Sequence, residues 1–218
     1  MPGVQDGEQA YLEKNFVLAK EIWEPIAEAG DAEAEAWLGA LYANGLGVSK
    51  DAERAFAYYL RSAEHGNPLA ANNVGAMYAK GDGVAADLSR GASWFLRAAE
   101  SGDALGQFNY AVMLTKGTGV EPDLAEAVRW YRRAAEAGHY PSQARIGYCC
   151  AKGLGTTVDP VEAFVWLTLA SRHGVGLAMA ELEELVRTMS AEQKAAASQR
   201  LARWGGGSQA AVARREVA

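Results

Sequence analysis

Apolar and polar residues alternate along this chain with the spacing of amphipathic helices, and glycines separate one helical segment from the next. In the segment 51–65, Ala55, Tyr59 and Ala63 fall on one side of a predicted helix. The preceding segment, 31–45, has the same spacing and ends at a glycine suited to the left-handed position that closes a helix. Together the two segments predict a pair of helices joined by a short loop.

This pair of helices returns every 36 residues without an insertion. The step is kept by the two glycines of the loop inside each pair and by the glycine that closes each pair. The first loop glycines are Gly45, Gly81, Gly117 and Gly153, the second are Gly47, Gly83, Gly119 and Gly155, and the closing ones are Gly30, Gly66, Gly102, Gly138 and Gly174. Two helices alone cannot bury their apolar faces, so each pair is expected to pack against the next copy.

An aspartate stands before each predicted second helix, at Asp51, Asp87, Asp123 and Asp159. Its carboxylate can accept hydrogen bonds from free N–H groups of the first turn, a cap worth about 0.5–2 kcal/mol. Small and aromatic residues recur together on the apolar side of these helices, which predicts closely packed neighbouring helices.

These residues resemble a known repeat family. The stretches "WLGALYANGLGVSKDAERAFAYYLRSAEHG" and "YAVMLTKGTGVEPDLAEAVRWYRRAAEAG" are similar to Sel1-like repeats, which are relatives of the tetratricopeptide repeat. The resemblance implies an all-α fold, a right-handed α–α superhelix (solenoid) of 36-residue helix-loop-helix repeats with terminal cap helices. It also implies an adaptor or scaffold that binds a partner protein, and a bacterial source.

The predicted organisation is four repeats between terminal elements. These are a flexible N-terminus (1–8), an N-terminal cap helix (9–30), repeats at 31–66, 67–102, 103–138 and 139–174, C-terminal capping helices (175–204) and a disordered tail (205–218). Ser190 and Gln193 are spaced as a capping box for the last helix. Within the cap, the stretch "NFVLAKEIWEPIAEAG" (15–30) matches only a second helix of the repeat, so the first helix is expected to be missing.

Composition narrows the class of partner. The net charge of −6 argues against nucleic acid, because phosphate binding requires clustered Lys and Arg. The surplus of acidic residues is expected on the outer faces of the second helices.

No apolar run has the length of a membrane span, and the first residues do not resemble a signal peptide. The expectation is therefore a cytoplasmic monomer, or a periplasmic one if a leader has been removed.

The sequence has few candidates for catalytic or metal-binding residues. The histidines His65, His139 and His173 lie at turns of different repeats, too far apart to share a metal ion. The adjacent Cys149 and Cys150 are interpreted as structural thiols. The S-x-x-K, S-D-N and K-T-G motifs of penicillin-hydrolysing enzymes and the phosphate-binding glycine patterns are not found. The chain is therefore predicted to have no catalytic residue, metal or cofactor, and a penicillin-binding or β-lactamase-like enzyme stays an alternative.

The relation to tetratricopeptide repeats implies where a partner binds. In that geometry, the residue before the leucine-glycine pair of the first helix, and the equivalent residue of each later repeat, faces the concave groove. The residue seven positions later shares its helix face. The two rows and their apolar neighbours give the candidate residues Trp37, Asn73, Asn109, Arg145, Lys80, Lys116, Lys152, Phe108 and Tyr148. This polar and positive set suits an extended or acidic peptide of a partner protein.

Two other interpretations of these residues remain open. The lysine row could bind a small anionic ligand such as a nucleotide or a saccharide. Alternatively, the asparagines tie adjacent helices together, and the lysines only complement the dipole at the helix ends.

Overall fold

The computed structural model describes residues 2–215, with side chains described as far as Trp204. Within these residues the secondary structure consists of helices, turns and bends, with no strand. The helices are α1 (Val4–Leu12), α2 (Phe16–Glu28), α3 (Ala32–Asn44), α4 (Ala52–Glu64), α5 (Pro68–Lys80), α6 (Leu88–Glu100), α7 (Ala104–Lys116), α8 (Leu124–Glu136), α9 (Tyr140–Lys152), α10 (Pro160–Ser171), α11 (Gly176–Thr188) and α12 (Ala191–Arg215). They form two compact units, Met1–Pro122 and a second that begins at Asp123.

The helix ends follow the predicted local rules. Asp51 accepts a hydrogen bond from the backbone N–H of Arg54 (3.0 Å), and the three equivalent aspartates do the same at α6, α8 and α10. The first loop glycine of every repeat is left-handed, with φ between 65° and 72°. The capping box is also present, because Gln193 N–H donates to Ser190 Oγ and Ser190 N–H donates to Gln193 Oε1.

A glycine in the middle of the first helix lets the second helix of the same repeat approach closely. A Cβ atom at Gly39 would lie 2.8 Å from the ring of Tyr59, and one at Gly147 would lie 2.7 Å from the side chain of Leu167. Tyr59 is 8% exposed and Leu167 is fully buried, so this contact fills the interior of the repeat.

The second loop glycine joins one repeat to the preceding one. A Cβ atom at Gly83 would overlap the backbone carbonyl oxygen of Ala52, at the first turn of α4. The same overlap would occur at two further glycines, Gly119 against Leu88 and Gly155 against Leu124. The loop therefore lies directly on the backbone of the preceding repeat, and only a residue without a side chain fits there.

Replacing Gly83 with alanine is expected to destabilise the protein more than replacing Gly66. Both residues have positive φ, +69° and +95°, so both substitutions carry a conformational cost of about 1 kcal/mol. Gly66 has no atom within 4 Å of an added Cβ, whereas Gly83 meets backbone, which adds about 1 kcal/mol or more. Urea denaturation of the two variants measures the difference, and equal losses would contradict the packing of this loop.

The N-terminal segment has one more helix than the sequence predicts. In place of a flexible segment over 1–8 and one cap helix over 9–30, the structure has two helices, α1 and α2. Gly7 of α1 lies against the indole of Trp23, as Gly39 lies against Tyr59, and Trp23 Nε1 donates to Val4 O at 3.0 Å. The first helix of this pair is present because a fully buried tryptophan needs a surface to pack against.

The C-terminal helices continue the repeat and then depart from it. Helix α11 begins 36 residues after α9, so it occupies the position of a first helix, but no two-glycine loop follows it. Helix α12 continues past Trp204 to Arg215, further than predicted, since Ala, Arg and Gln beyond the glycines favour helix. Residues 216–218 of the predicted tail lie outside the described residues.

Candidate functional site

A stripe of exposed and half-buried side chains runs along α5, and the same stripe recurs along α7. Both begin with an exposed leucine, Leu69 (60%) and Leu105 (43%), and end with an exposed lysine. We call this surface the α5–α7 face, formed by Leu69, Asn73, Ala76 and Lys80 and by Leu105, Asn109, Val112 and Lys116. The spacing of four, three and four residues places each set on one side of its helix.

The two asparagines of the α5–α7 face have different environments. Asn109 Nδ2 donates to Oδ1 of the buried Asn72 at 2.8 Å, which joins α7 to α5. This bond agrees with the interpretation that an asparagine ties adjacent helices together. Asn73 is half-buried, and its side chain makes no hydrogen bond within the described residues.

The lysines of the α5–α7 face have no acidic partner. Lys80 and Lys116 are both exposed, and neither forms an ion pair with any residue whose side chain the structure describes. Phe108, also predicted for the groove, is half-buried on α7 beside Asn109. The face therefore presents two positive charges, an amide and two exposed apolar side chains.

Trp37, the candidate on α3, is half-buried against the N-terminal helices. Its ring stacks on Trp23 with centroids 5.1 Å apart, and the ring of Tyr11 lies 5.0 Å away. Trp37 Nε1 donates to Glu8 Oε1 at 3.3 Å. The structure thus places Trp37 in contacts within the chain, because α1, which the sequence does not predict, packs beside it.

In the second unit, the candidates on α9 have mixed environments. Arg145 is exposed and Tyr148 is half-buried. Lys152 Nζ lies 3.2 Å from Glu184 and 3.3 Å from Glu181, and these hydrogen bonds raise the pKa of Lys152. Both glutamates are on α11, 36 residues after Arg145 and Tyr148, so the predicted positive row becomes acidic at this helix.

The second helices α4 and α6 carry arginines over aromatic rings, in addition to exposed glutamates. The guanidinium carbon lies 5.0 to 5.7 Å from the ring centroid in each of four pairs. The pairs are Arg54 with Tyr42, Arg61 with Tyr58, Arg90 with Tyr78, and Arg97 with Trp94. The repeat spacing indicates these arginines, because Arg90 and Arg97 lie 36 residues after Arg54 and Arg61. The net charge of the whole chain does not reveal them.

The thiols and imidazoles have structural environments. Burial raises the pKa of Cys150 to about 12, and burial also raises the pKa of Cys149. A thiol with a raised pKa is a poor nucleophile at neutral pH. His65 contacts Glu35, and His173 stacks on Tyr140. Among the described residues, no group of three His, Cys, Asp or Glu side chains could hold a metal ion.

The Sel1 repeat model matches four consecutive segments of this chain, at residues 32–67, 68–103, 104–139 and 141–175. The chain belongs to the Sel1 repeat family. The resemblance and the all-α repeat fold predicted from the sequence are therefore confirmed. Sel1 repeat proteins are typically non-catalytic scaffolds, and they commonly mediate protein–protein interactions. Of the described helices, none has the length and apolar character needed to cross a membrane.

Two solved structures of Sel1 repeat proteins are similar to this chain. A Sel1 repeat protein from Oxalobacter formigenes is 31% identical with a TM-score of 0.78, over 84% of this chain and 75% of that one. A protective antigen present in uropathogenic Escherichia coli strains, which displays an SLR fold, is 30% identical with a TM-score of 0.78. The match covers 87% of this chain but only 41% of the antigen, which is therefore much longer.

Proposed function

We propose that this Sel1 repeat protein is an adaptor without catalytic activity, and that its α5–α7 face binds an extended acidic segment of a partner protein. The observation that carries the proposal is the repetition of one exposed stripe on two helices that a hydrogen bond joins. Two lysines that pair with no acidic side chain in the described part of the chain lie at one end of the stripes, and two exposed leucines lie at the other, on a chain with a net charge of −6.

The side chains of the face match the chemistry of an extended peptide. The amide of Asn73 can donate to a peptide carbonyl and accept from a peptide N–H group. Lys80 and Lys116 attract carboxylates of the peptide, and their positive charge increases the rate of encounter. Leu69 and Leu105 offer apolar contacts for the remaining side chains of the peptide. In the second unit, Arg145 and Tyr148 on α9 offer separate contacts for a carboxylate and an aromatic or apolar side chain.

Loss of the two lysines is expected to weaken binding of acidic peptides by about tenfold, since each exposed charge pair contributes modestly. The probes are fluorescent peptides of equal length and apolar content that carry either Asp and Glu or Lys and Arg. Anisotropy titrations compare the wild type with the variant Lys80→Gln, Lys116→Gln. Acidic peptides should bind more tightly than basic ones, and added salt should weaken their binding to the wild type more than to the variant.

A charge-matched variant controls for the change in net charge. Lys50 and Lys194 are exposed lysines outside the α5–α7 face, so Lys50→Gln, Lys194→Gln changes the charge by the same amount. The proposal requires this control to bind like the wild type. Equal weakening in both variants, or no preference for acidic over basic peptides, would remove the α5–α7 face as the binding site.

A further inference from the structure

A surface pocket of about 250 Å³ lies in the first unit, beside α3 and α4. It is lined by Tyr42, Arg54, Ala57, Tyr58 and Arg61. The pocket shares no residue with the α5–α7 face, so it is a second candidate site in the same unit. Its volume is just below the range of about 300–1,000 Å³ for pockets that hold drug-sized ligands, so it suits a smaller group.

Two aromatic rings form the apolar part of this pocket. The rings of Tyr42 and Tyr58 are nearly parallel, with an interplanar angle of 9° and centroids 5.6 Å apart. Tyr42 is 7% exposed and Tyr58 is half-buried, so both rings are held in place by packing. Burial also raises the pKa of Tyr58, which keeps its hydroxyl protonated and able to donate at neutral pH. The two rings therefore give the pocket an apolar wall that a flat apolar group can contact.

Two guanidinium groups form the polar part, and each is already oriented. Arg54 lies over Tyr42, with Nε 3.2 Å from Asp51 Oδ2 and Nη1 3.5 Å from the Tyr42 hydroxyl. Its Nη2 has no hydrogen-bond acceptor among the described residues. A guanidinium held in place loses less conformational entropy when it binds an anion than a free one does.

Arg61 is held more firmly than Arg54. Its Nε donates to Glu35 at 2.9 Å and its Nη2 donates to Ala27 O at 2.8 Å, whereas its Nη1 has no acceptor within the described part of the chain. Each arginine therefore keeps unused N–H donors next to the tyrosine rings. Guanidinium N–H donors match the geometry of carboxylate and phosphate oxygens.

We propose that this pocket binds an oxyanion carried on a flat apolar group, such as an aromatic carboxylate or an aromatic phosphate monoester. The stacked tyrosine rings contact the flat group, and the remaining donors of Arg54 and Arg61 bind the oxyanion. The site is independent of the partner peptide, so it adds a small-ligand function to the adaptor.

The next repeat provides a matched comparison. Arg90 lies 5.7 Å over Tyr78 and is paired with Asp87 at 3.4 Å, as Arg54 is with Tyr42 and Asp51. However, Tyr78 meets the ring of Phe56 edge-on, at 86°, and within the described residues it has no parallel partner like that of Tyr42. Arg90→Gln therefore changes an equivalent arginine outside the pocket.

The test uses the full chain with ¹³C-labelled tyrosine rings and four probes: phenyl phosphate, benzoate, inorganic phosphate and benzyl alcohol. Phenyl phosphate, benzoate or both should shift the Tyr42 and Tyr58 signals in a saturable way, with Kd of about 1 mM or tighter. Whichever binds more tightly identifies the oxyanion. Arg54→Gln should weaken that binding by about tenfold. Arg54→Lys should weaken it less, because lysine keeps the positive charge and loses only the paired N–H donors of the guanidinium group.

Four results would overturn the proposal. The first is the lack of a saturable shift with either aromatic anion. The second is that inorganic phosphate binds as tightly as the aromatic anions, which would show that the rings take no part. The third is that benzyl alcohol binds as tightly as they do, which would show that the charge takes no part. The fourth is an equal loss of affinity in Arg90→Gln. The Arg54 side chain is 65% exposed, so these variants are expected to keep the wild-type melting temperature, which is measured alongside.

Discussion

Replacing Trp23 with alanine is expected to lower the free energy of unfolding by about 3–5 kcal/mol, the loss typical of a buried tryptophan. Trp23 is fully buried, stacks on Trp37 at 5.1 Å and lies 6.3 Å from the ring of Tyr11. Its indole N–H also holds the carbonyl of Val4, the first residue of α1. The substitution therefore removes both the core of the N-terminal pair of helices and the contact that attaches α1.

Two measurements check this result. Chemical denaturation gives the loss of stability, and hydrogen exchange of the backbone amides of α1 should become faster in the variant. Trp94→Ala is the matched control, since Trp94 is a half-buried tryptophan on α6 and its loss should cost distinctly less. A loss for Trp23→Ala below about 1 kcal/mol, or unchanged exchange in α1, would contradict the packing of α1 on Trp23.

The interior repeats could be predicted from the sequence because their signals keep one step. Loop glycines and capping aspartates recur at 36 residues, and the structure shows them at left-handed and N-cap positions as expected. The N-terminal pair breaks this step. Gly7 and Trp23 are 16 residues apart, whereas Gly39 and Tyr59 are 20 apart, because the loop between the helices is shorter by four residues.

The end of α1 also lacks the residue that would have identified it. The left-handed position after α1 is occupied by Lys14, with φ of 61°, and not by glycine. A lysine carries no sequence signal for this conformation, because non-glycine residues seldom adopt it. Helix α1 therefore has neither the spacing nor the turn residue that reveals the other first helices, and its existence follows only from the packing around Trp23.

The sequence predicts on which helix face the candidate residues lie, but it does not predict which of their side chains are accessible. Periodicity places Asn73, Asn109, Lys80 and Lys116 on one side of their helices, and in the structure the asparagines are half-buried and the lysines exposed. Which side chains remain accessible depends on neighbours at the ends of the array. Trp37 packs beside α1, and Lys152 is paired with glutamates of α11. Both neighbours belong to terminal elements, where the repeat pattern no longer specifies the residues.

Removal of the Arg61 side chain is expected to cost about 3 kcal/mol, although 46% of that side chain is exposed. The reason is its partner, Glu35, which is fully buried and lies 2.7 Å from Arg61 Nη2. In Arg61→Ala, the partner that the carboxyl keeps among the described residues is His65, at 2.8 Å, and the carbonyl of Ala27 loses one of its two donors while the N–H of Gly30 remains. Uncompensated buried polar groups are expensive, so the cost exceeds that of an ordinary surface arginine.

A second substitution should restore most of this loss. Glutamines occupy the position of Glu35 in two later repeats, where Gln107 and Gln143 donate through Nε2 to a carbonyl of the preceding second helix, each at 3.2 Å. These carbonyls, of Ala99 and Ala135, are equivalent to that of Ala27. In the double variant Glu35→Gln, Arg61→Ala, the new amide can therefore donate to Ala27 without leaving a charge buried.

A double-mutant cycle by urea denaturation decides between coupled and independent roles of Glu35 and Arg61. Coupling predicts that the double variant is more stable than Arg61→Ala alone, by about 1–2 kcal/mol, since the buried charge has been removed. If the two losses simply add, the buried carboxyl is not what makes Arg61 necessary. The outcome also bears on how these repeats diverge, because a Glu–Arg pair and a single glutamine would then be interchangeable ways to satisfy the same helix end.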